Sequence, residues 1–168
     1  MNNGKELYLY SKSVFDEELS RYHRTQSRAG ALITAIISIL TVYSVILASS
    51  YFGSVVKSGD ITTLILGVSV LVGFSLSFFL AFFSAIGGKL TVPPLNKEII
   101  SLFKRNDITQ VYHAISEGYT EAVEHNRRVT DYKIKLLTYS YRIILVTMTF
   151  FVANISWFLF ALTRSKGD

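Results

Sequence analysis

Charge vanishes from this chain three times. Ala29–Val56 and Ile61–Gly88 (28 residues each) and Ile143–Thr163 (21 residues) contain no Asp, Glu, Lys, Arg or His. Each run reaches the ~20 apolar residues that carry a helix across the hydrocarbon core of a bilayer. Backbone groups in lipid must be satisfied within the segment, and none of these runs alternates as a barrel strand does, so all three are expected to be helices. The pattern predicts an all-α integral membrane protein with three transmembrane helices and cytoplasmic, coiled-coil-like helical extensions. The first run follows a charged stretch of 28 residues and exceeds the ~7–15 residues of a cleavable leader's core, so it is expected to persist as span 1.

Between the runs the pattern changes. Residues 1–12 show no periodicity and read as a flexible N-terminus. Ser13 with Asp16 resembles a capping box, with Glu17 and Glu18 favoured by the dipole of a helix that starts there. That helix, 13–50, is a cytoplasmic stalk continuing into span 1. Its apolar seam repeats as Phe15, Leu19, Tyr22, Gln26, Ala29 and Ile33, the 4/3 spacing of a coiled coil. A short outer turn holding Tyr51, Phe52 and Gly53 leads to span 2 over 61–87. Gly87, Gly88, Pro93 and Pro94 break the chain over 88–107, which also holds a short helix at 95–105. Asp107 then caps a long helix over 108–142 that leads into span 3 at 143–163 and an outer tail at 164–168. Two columns at seven-residue spacing run along this helix: one from Ile108 through Ile115, Ala122, Val129 and Leu136, the other from Val111 through Gly118, His125, Tyr132 and Tyr139. The cytoplasmic coupling seam is therefore placed on Phe15, Leu19 and Tyr22 against Ile115, Val129, Tyr132 and Leu136. A straight helix over 108–141 outruns the return path through 89–105, so a bend at Gly118 or an unwound 95–105 segment is expected.

Within span 2, Ser69, Gly73, Ser77, Ala81 and Ala85 recur at every fourth position, opposite a bulky face of Phe74, Phe78, Phe79, Phe82 and Phe83. Lipid offers no hydrophobic drive between helices, so small-residue faces that let backbones approach carry helix packing. This column can serve packing inside one chain or assembly between copies. Asn154 in span 3 needs a partner on another helix, either as packing glue or in a polar ring of an oligomer.

The net charge is +5, and its placement matters more than its size. Five basic residues precede the first span, nine lie over 89–142, one lies in the 51–60 loop and two in the tail. The positive-inside rule places the N-terminus in the cytoplasm and the C-terminus outside, in a cell membrane. Arg28, Lys89, Arg127, Arg128, Lys133, Lys135 and Arg142 are the candidate lipid-headgroup residues, each contributing ~1 kcal/mol near an anionic surface. Nucleic-acid binding is not expected. No Asp, Glu, Lys, Arg or His lies inside a span, which disfavours a pump or coupled transporter. His113, Glu117, Glu121 and His125 share helical spacing, but successive i+4 steps do not converge on a metal. With three histidines, no cysteine and no glycine-rich phosphate loop, no catalytic site, metal or cofactor is expected.

Gln26-Ser27-Arg28-Ala29-Gly30 at the entry to span 1 resembles the D-x-K-A-G start of the first span in Pycsar effector transmembrane domains. Asn126–Leu137 is similar to that family's basic juxtamembrane helix. The layout also resembles the SLATT group of membrane effectors. Gln26 replaces the family's acid and Arg28 its lysine. The resemblance implies a module of antiviral defence that oligomerises and compromises the membrane, answering a cytoplasmic protein or nucleotide signal. The expectation is a homo-oligomeric pore-forming or membrane-perturbing effector driven by its cytoplasmic helices. A non-conducting scaffold or accessory subunit that anchors a cytoplasmic partner is the alternative, and a constitutive small ion channel a third.

Overall fold

The computed structural model describes residues 3–48, 53, 61–93, 101 and 107–165. Its main elements are α1 (Asn3–Leu47), α2 (Ile61–Ile86) and α3 (Ile108–Ser165). Each is long and apolar enough to cross a membrane, so the fold is that of an all-helical, multi-pass membrane protein. The expected 95–105 helix and the outer turn with Tyr51 and Phe52 lie outside the described residues, apart from Ser101 and Gly53.

Two compact units divide the chain, one formed by Met1–Ser27 with Ile86–Ile134 and one by Arg28–Ala85 with Lys135–Asp168. In the first unit α1 begins at Asn3, ten residues before the expected start at Ser13. Packing explains the early start. Gly4 lies so close to α3 that an added Cβ would sit 3.3 Å from the Thr109 side chain. Tyr8 rests between Tyr112 and Tyr119, with ring centroids 5.6 and 6.0 Å away, and Phe15 meets Tyr119 edge-on at 5.3 Å. Aromatic pairs of this kind add about 0.5–1.5 kcal/mol each beyond area burial. Ser13 and Asp16, read as a helix cap, are therefore interior residues of a helix already under way.

α3 starts where Asp107 caps it. The Asp107 carbonyl accepts from the amides of Gln110 and Val111 at 3.0 and 3.2 Å. The helix then passes Gly118 without a break. Gly118 lies beside open space, and the ~1 kcal/mol that Gly costs in a helix is too little to interrupt one anchored on both sides by packed aromatics.

In the second unit α2 runs antiparallel to α3, with Thr63 at the level of Asn154, Gly73 at Thr147 and Ser77 at Ser140. Its core holds Ile36, Tyr43, Val70 and Phe74, with Ile144, Met148 and Phe151 packed against them. Phe74, expected on the bulky outer face, is fully buried, while Phe79, Phe82 and Phe83 do face outward. The buried positions of α2 are Thr63, Gly67, Val70, Phe74, Ser77, Ala81 and Ser84, a 4/3 spacing in which small residues make room for one large ring.

Candidate functional site

The inward edge of α3 is polar. Asn126, Lys133, Ser140, Thr147 and Asn154 stand seven residues apart and are all buried. Alternating with them, Thr130 and Leu137 are also buried. This edge lies one residue on from both columns read from the apolar repeat, a rotation of about 100°. Ile115, Val129 and Leu136 are consequently half-buried at its margin and Tyr132 is exposed. On α1 the column Phe15, Tyr22, Ala29, Ile36 and Tyr43 is buried, whereas Gln26 is exposed and Leu19 half-buried. The companion positions there are Ser11, Glu18 and Thr25, one residue earlier than expected.

Each polar group on the α3 edge has work within its own unit. In the first unit Asn126 pairs with the backbone of Thr91, accepting from its amide at 2.8 Å and donating to its carbonyl at 2.9 Å. A side-chain amide thereby holds the irregular strap after α2 as a strand partner would. Lys133 is fully buried rather than at a lipid surface. Its Nζ donates to the Tyr22 hydroxyl at 3.1 Å and lies 4.2 Å from that ring's centroid, combining a hydrogen bond with cation–π attraction. The Tyr22 hydroxyl in turn donates to the carbonyl of Gly88 at 3.2 Å. Gly88 has φ +74°, and an added Cβ would strike Val129, so the strap needs glycine there both for its backbone and for close approach.

Around this centre Arg21 bridges to Asp131 at 2.7 Å and to Glu18 at 3.5 Å. Glu18 is 5% exposed, and its Oε1 lacks a hydrogen-bond partner among the described residues. Burial, the adjacent Tyr8 and Asp16 push the Tyr119 phenol above its ordinary value. His113, Glu117, Glu121 and His125 are exposed, and among the described residues no three acidic or imidazole groups converge as metal ligands.

In the second unit Ser77 and Ser140 share a hydrogen bond at 2.7 Å, and Ser140 also donates to the Ser77 carbonyl at 2.8 Å. Asn154 accepts from the Tyr43 hydroxyl at 3.0 Å and donates to the Thr63 carbonyl at 3.3 Å. It is 3% exposed, so its amide is satisfied inside one chain. The small-residue column of α2 divides. Ser77 and Ala81 are buried, whereas Ser69, Gly73 and Ala85 are half-buried. Thr147 fills the notch at Gly73, with its Cγ2 only 2.9 Å from where a Cβ would stand.

The register leaves the uncharged runs of α2 and α3 out of step. From Ile143, where the run of α3 opens, to the level of Ile61, where that of α2 opens, is about 20 Å. At one end α2 continues uncharged for about 12 Å past the Ser77–Ser140 level, exposing Phe79, Phe82 and Phe83 alongside the stretch of α3 that carries Lys135 and Tyr139. At the other end α3 runs on beyond α2. The zone in which both helices are uncharged is thus shorter than the ~30 Å hydrocarbon core.

Arg28, Lys135 and Arg142 in this unit are exposed, as are Lys89, Arg127 and Arg128 in the other. Arg128 pairs with Glu124 at 2.8 Å. Arg142 closes one end of an open groove of about 520 Å³ between α2 and α3, walled by Val68, Val72, Val146 and Phe150. The buried polar edge escapes a reading that seeks apolar seams; its signal is the seven-residue recurrence of Asn, Lys, Ser, Thr and Asn on a helix that enters lipid. No family model, curated protein or solved structure matches this chain.

Proposed function

We propose that this chain is a membrane-perturbing effector that acts as a homo-oligomer in the cell membrane, with its N-terminus and the 88–142 segment in the cytoplasm and its C-terminus outside. The observation that carries this reading is the stagger of α2 against α3. Matching the bilayer to α2 draws Lys135 and Arg142 toward hydrocarbon. Matching it to α3 leaves Phe79, Phe82 and Phe83 among headgroups. Either fit deforms the membrane or drives copies together to cover the exposed face. The resemblance at Gln26–Gly30 supports the same reading, with a cytoplasmic protein or nucleotide signal as trigger.

Purified protein reconstituted into dye-loaded vesicles of increasing acyl-chain length tests it. Leakage is expected to rise with bilayer thickness, and the particle mass in mild detergent is expected to exceed that of one chain. A monomer that leaves vesicles of every thickness tight overturns the proposal.

One observation favours a second reading. Asn154, Ser77, Ser140 and Thr147 are turned into the chain's own interior, which suits a non-conducting scaffold that anchors a cytoplasmic partner. Tight vesicles combined with recovery of a specific protein on the helices of 108–134 would favour it.

A further inference from the structure

We infer that the groove between α2 and α3 holds one acyl chain of an anionic phospholipid, with Arg142 on the lipid's phosphate. This site is independent of whether the protein perturbs membranes. The groove's volume, about 520 Å³, falls in the range of small-molecule sites. Its walls are apolar and outward-facing: Val68, Val72, Val146 and Phe150 are each more than two-fifths exposed. Its only charged lining residue is Arg142, which lies immediately before the uncharged run of α3. From there the groove follows α3 to Phe150, about 12 Å along the helix axis, which is most of one leaflet's hydrocarbon depth at ~15 Å. A cation at the polar boundary and an apolar trough leading from it toward the bilayer centre are the two ends of a phospholipid. Among the described residues no carboxylate pairs with Arg142, so its guanidinium is open to a phosphate, which it can grip through two N–H donors.

A second copy of the chain fits the groove less well. Close helix approach uses small-residue notches, and Thr147 of the same chain already occupies the one at Gly73. A helix laid over the groove would also press Arg142 against apolar surface without a counter-ion.

The test uses the chain's single tryptophan. In a Trp157→Phe background, Phe150→Trp places the fluorophore in the groove wall, and Val68→Trp supplies a second reporter on the opposite wall. The full-length protein is reconstituted in nanodiscs doped with brominated-acyl phosphatidylglycerol or phosphatidylcholine. Quenching is expected to show tighter association of the anionic lipid by about fivefold, the ratio one basic residue supplies at a charged surface. Arg142→Gln should bring that ratio to about one, and Val72→Phe should weaken quenching by both lipids. Equal quenching by the two lipids in the parent reporters, or an unchanged preference in Arg142→Gln, overturns the proposal. The chain has no cysteine, so rapid disulfide linkage of two Val72→Cys copies would assign the groove to a second subunit and overturn it as well.

Discussion

Tyr43 donates its phenolic proton to Oδ1 of Asn154 across 3.0 Å, tying α1 to α3 among buried side chains. Asn154 reaches the Thr63 carbonyl with its amide nitrogen, so one side chain joins all three helices of the span unit. Tyr43→Phe leaves Oδ1 without that donor and is expected to lower stability in mixed micelles by about 0.6–2 kcal/mol. Because the bond lies inside one chain, the particle mass in mild detergent should not change; size-exclusion chromatography with light scattering reads this.

Gly73 and Thr147 form a lock of a different kind. Gly73→Ala drives a methyl group into the Thr147 side chain and should destabilise the span unit by roughly 1–3 kcal/mol. Shortening the partner in Gly73→Ala/Thr147→Ala should return most of that loss. Denaturant titration of the four proteins closes the double-mutant cycle, and a strongly non-additive result is expected.

Two glycines of the first unit should respond with opposite sign. Gly88→Ala meets both a φ of +74° and Val129, and a loss of about 1–3 kcal/mol is expected. Gly118→Ala meets open space within a continuous helix, so a gain of up to ~1 kcal/mol is expected. Thermal unfolding followed by circular dichroism distinguishes the two.

Asn126 holds the strap through both backbone polar atoms of Thr91. Asn126→Leu removes both bonds and exchanges a matched amide for an apolar side chain facing a peptide. Limited proteolysis should then cut within residues 87–93 several-fold faster, while α1 and α3 keep their helical signal.

Tyr119 gives the first unit an alkaline limit. Its phenol is held above the ordinary value near 10, first by burial and then by Tyr8 and Asp16. The unfolded chain ionises this group first as pH rises, so its contribution is intact below about pH 10 and fades as pH climbs through the higher folded value. Tyr119→Phe should flatten that part of the stability–pH curve, measured by unfolding in detergent between pH 8 and 11.

The spans were legible because charge is the costliest thing to place in lipid, and three uncharged runs of sufficient length have few other uses. The helix stop after Ile86 was legible from paired glycines and a following proline. The facing of the helices was not. Thr34, Ser38, Thr41 and Ser44 return their hydroxyl protons to carbonyls one turn back, so a polar residue can look outward without penalty. Meanwhile Ser140, Thr147 and Asn154 look inward. In lipid, therefore, polarity alone does not say which side of a helix is covered: Val111 and Ala122 of the apolar repeat of α3 are buried, but from Val129 to Tyr139 that repeat follows the outer margin. The N-terminal twelve residues misled for a related reason: their packing rests on Gly4, Tyr8 and Ser11, which carry little hydrophobic signal. Lys133 read as a headgroup residue because lysine next to a span ordinarily is one, whereas the hydroxyl and ring of Tyr22 opposite it help to make its burial tolerable.

The out-of-step helices give the protein a built-in gauge. A thin bilayer satisfies the short zone shared by α2 and α3, and a thick one leaves part of one helix wrongly solvated at either boundary. The chain should accordingly collect in the thinner patches of a heterogeneous membrane, and local lipid composition would act on it as a dial.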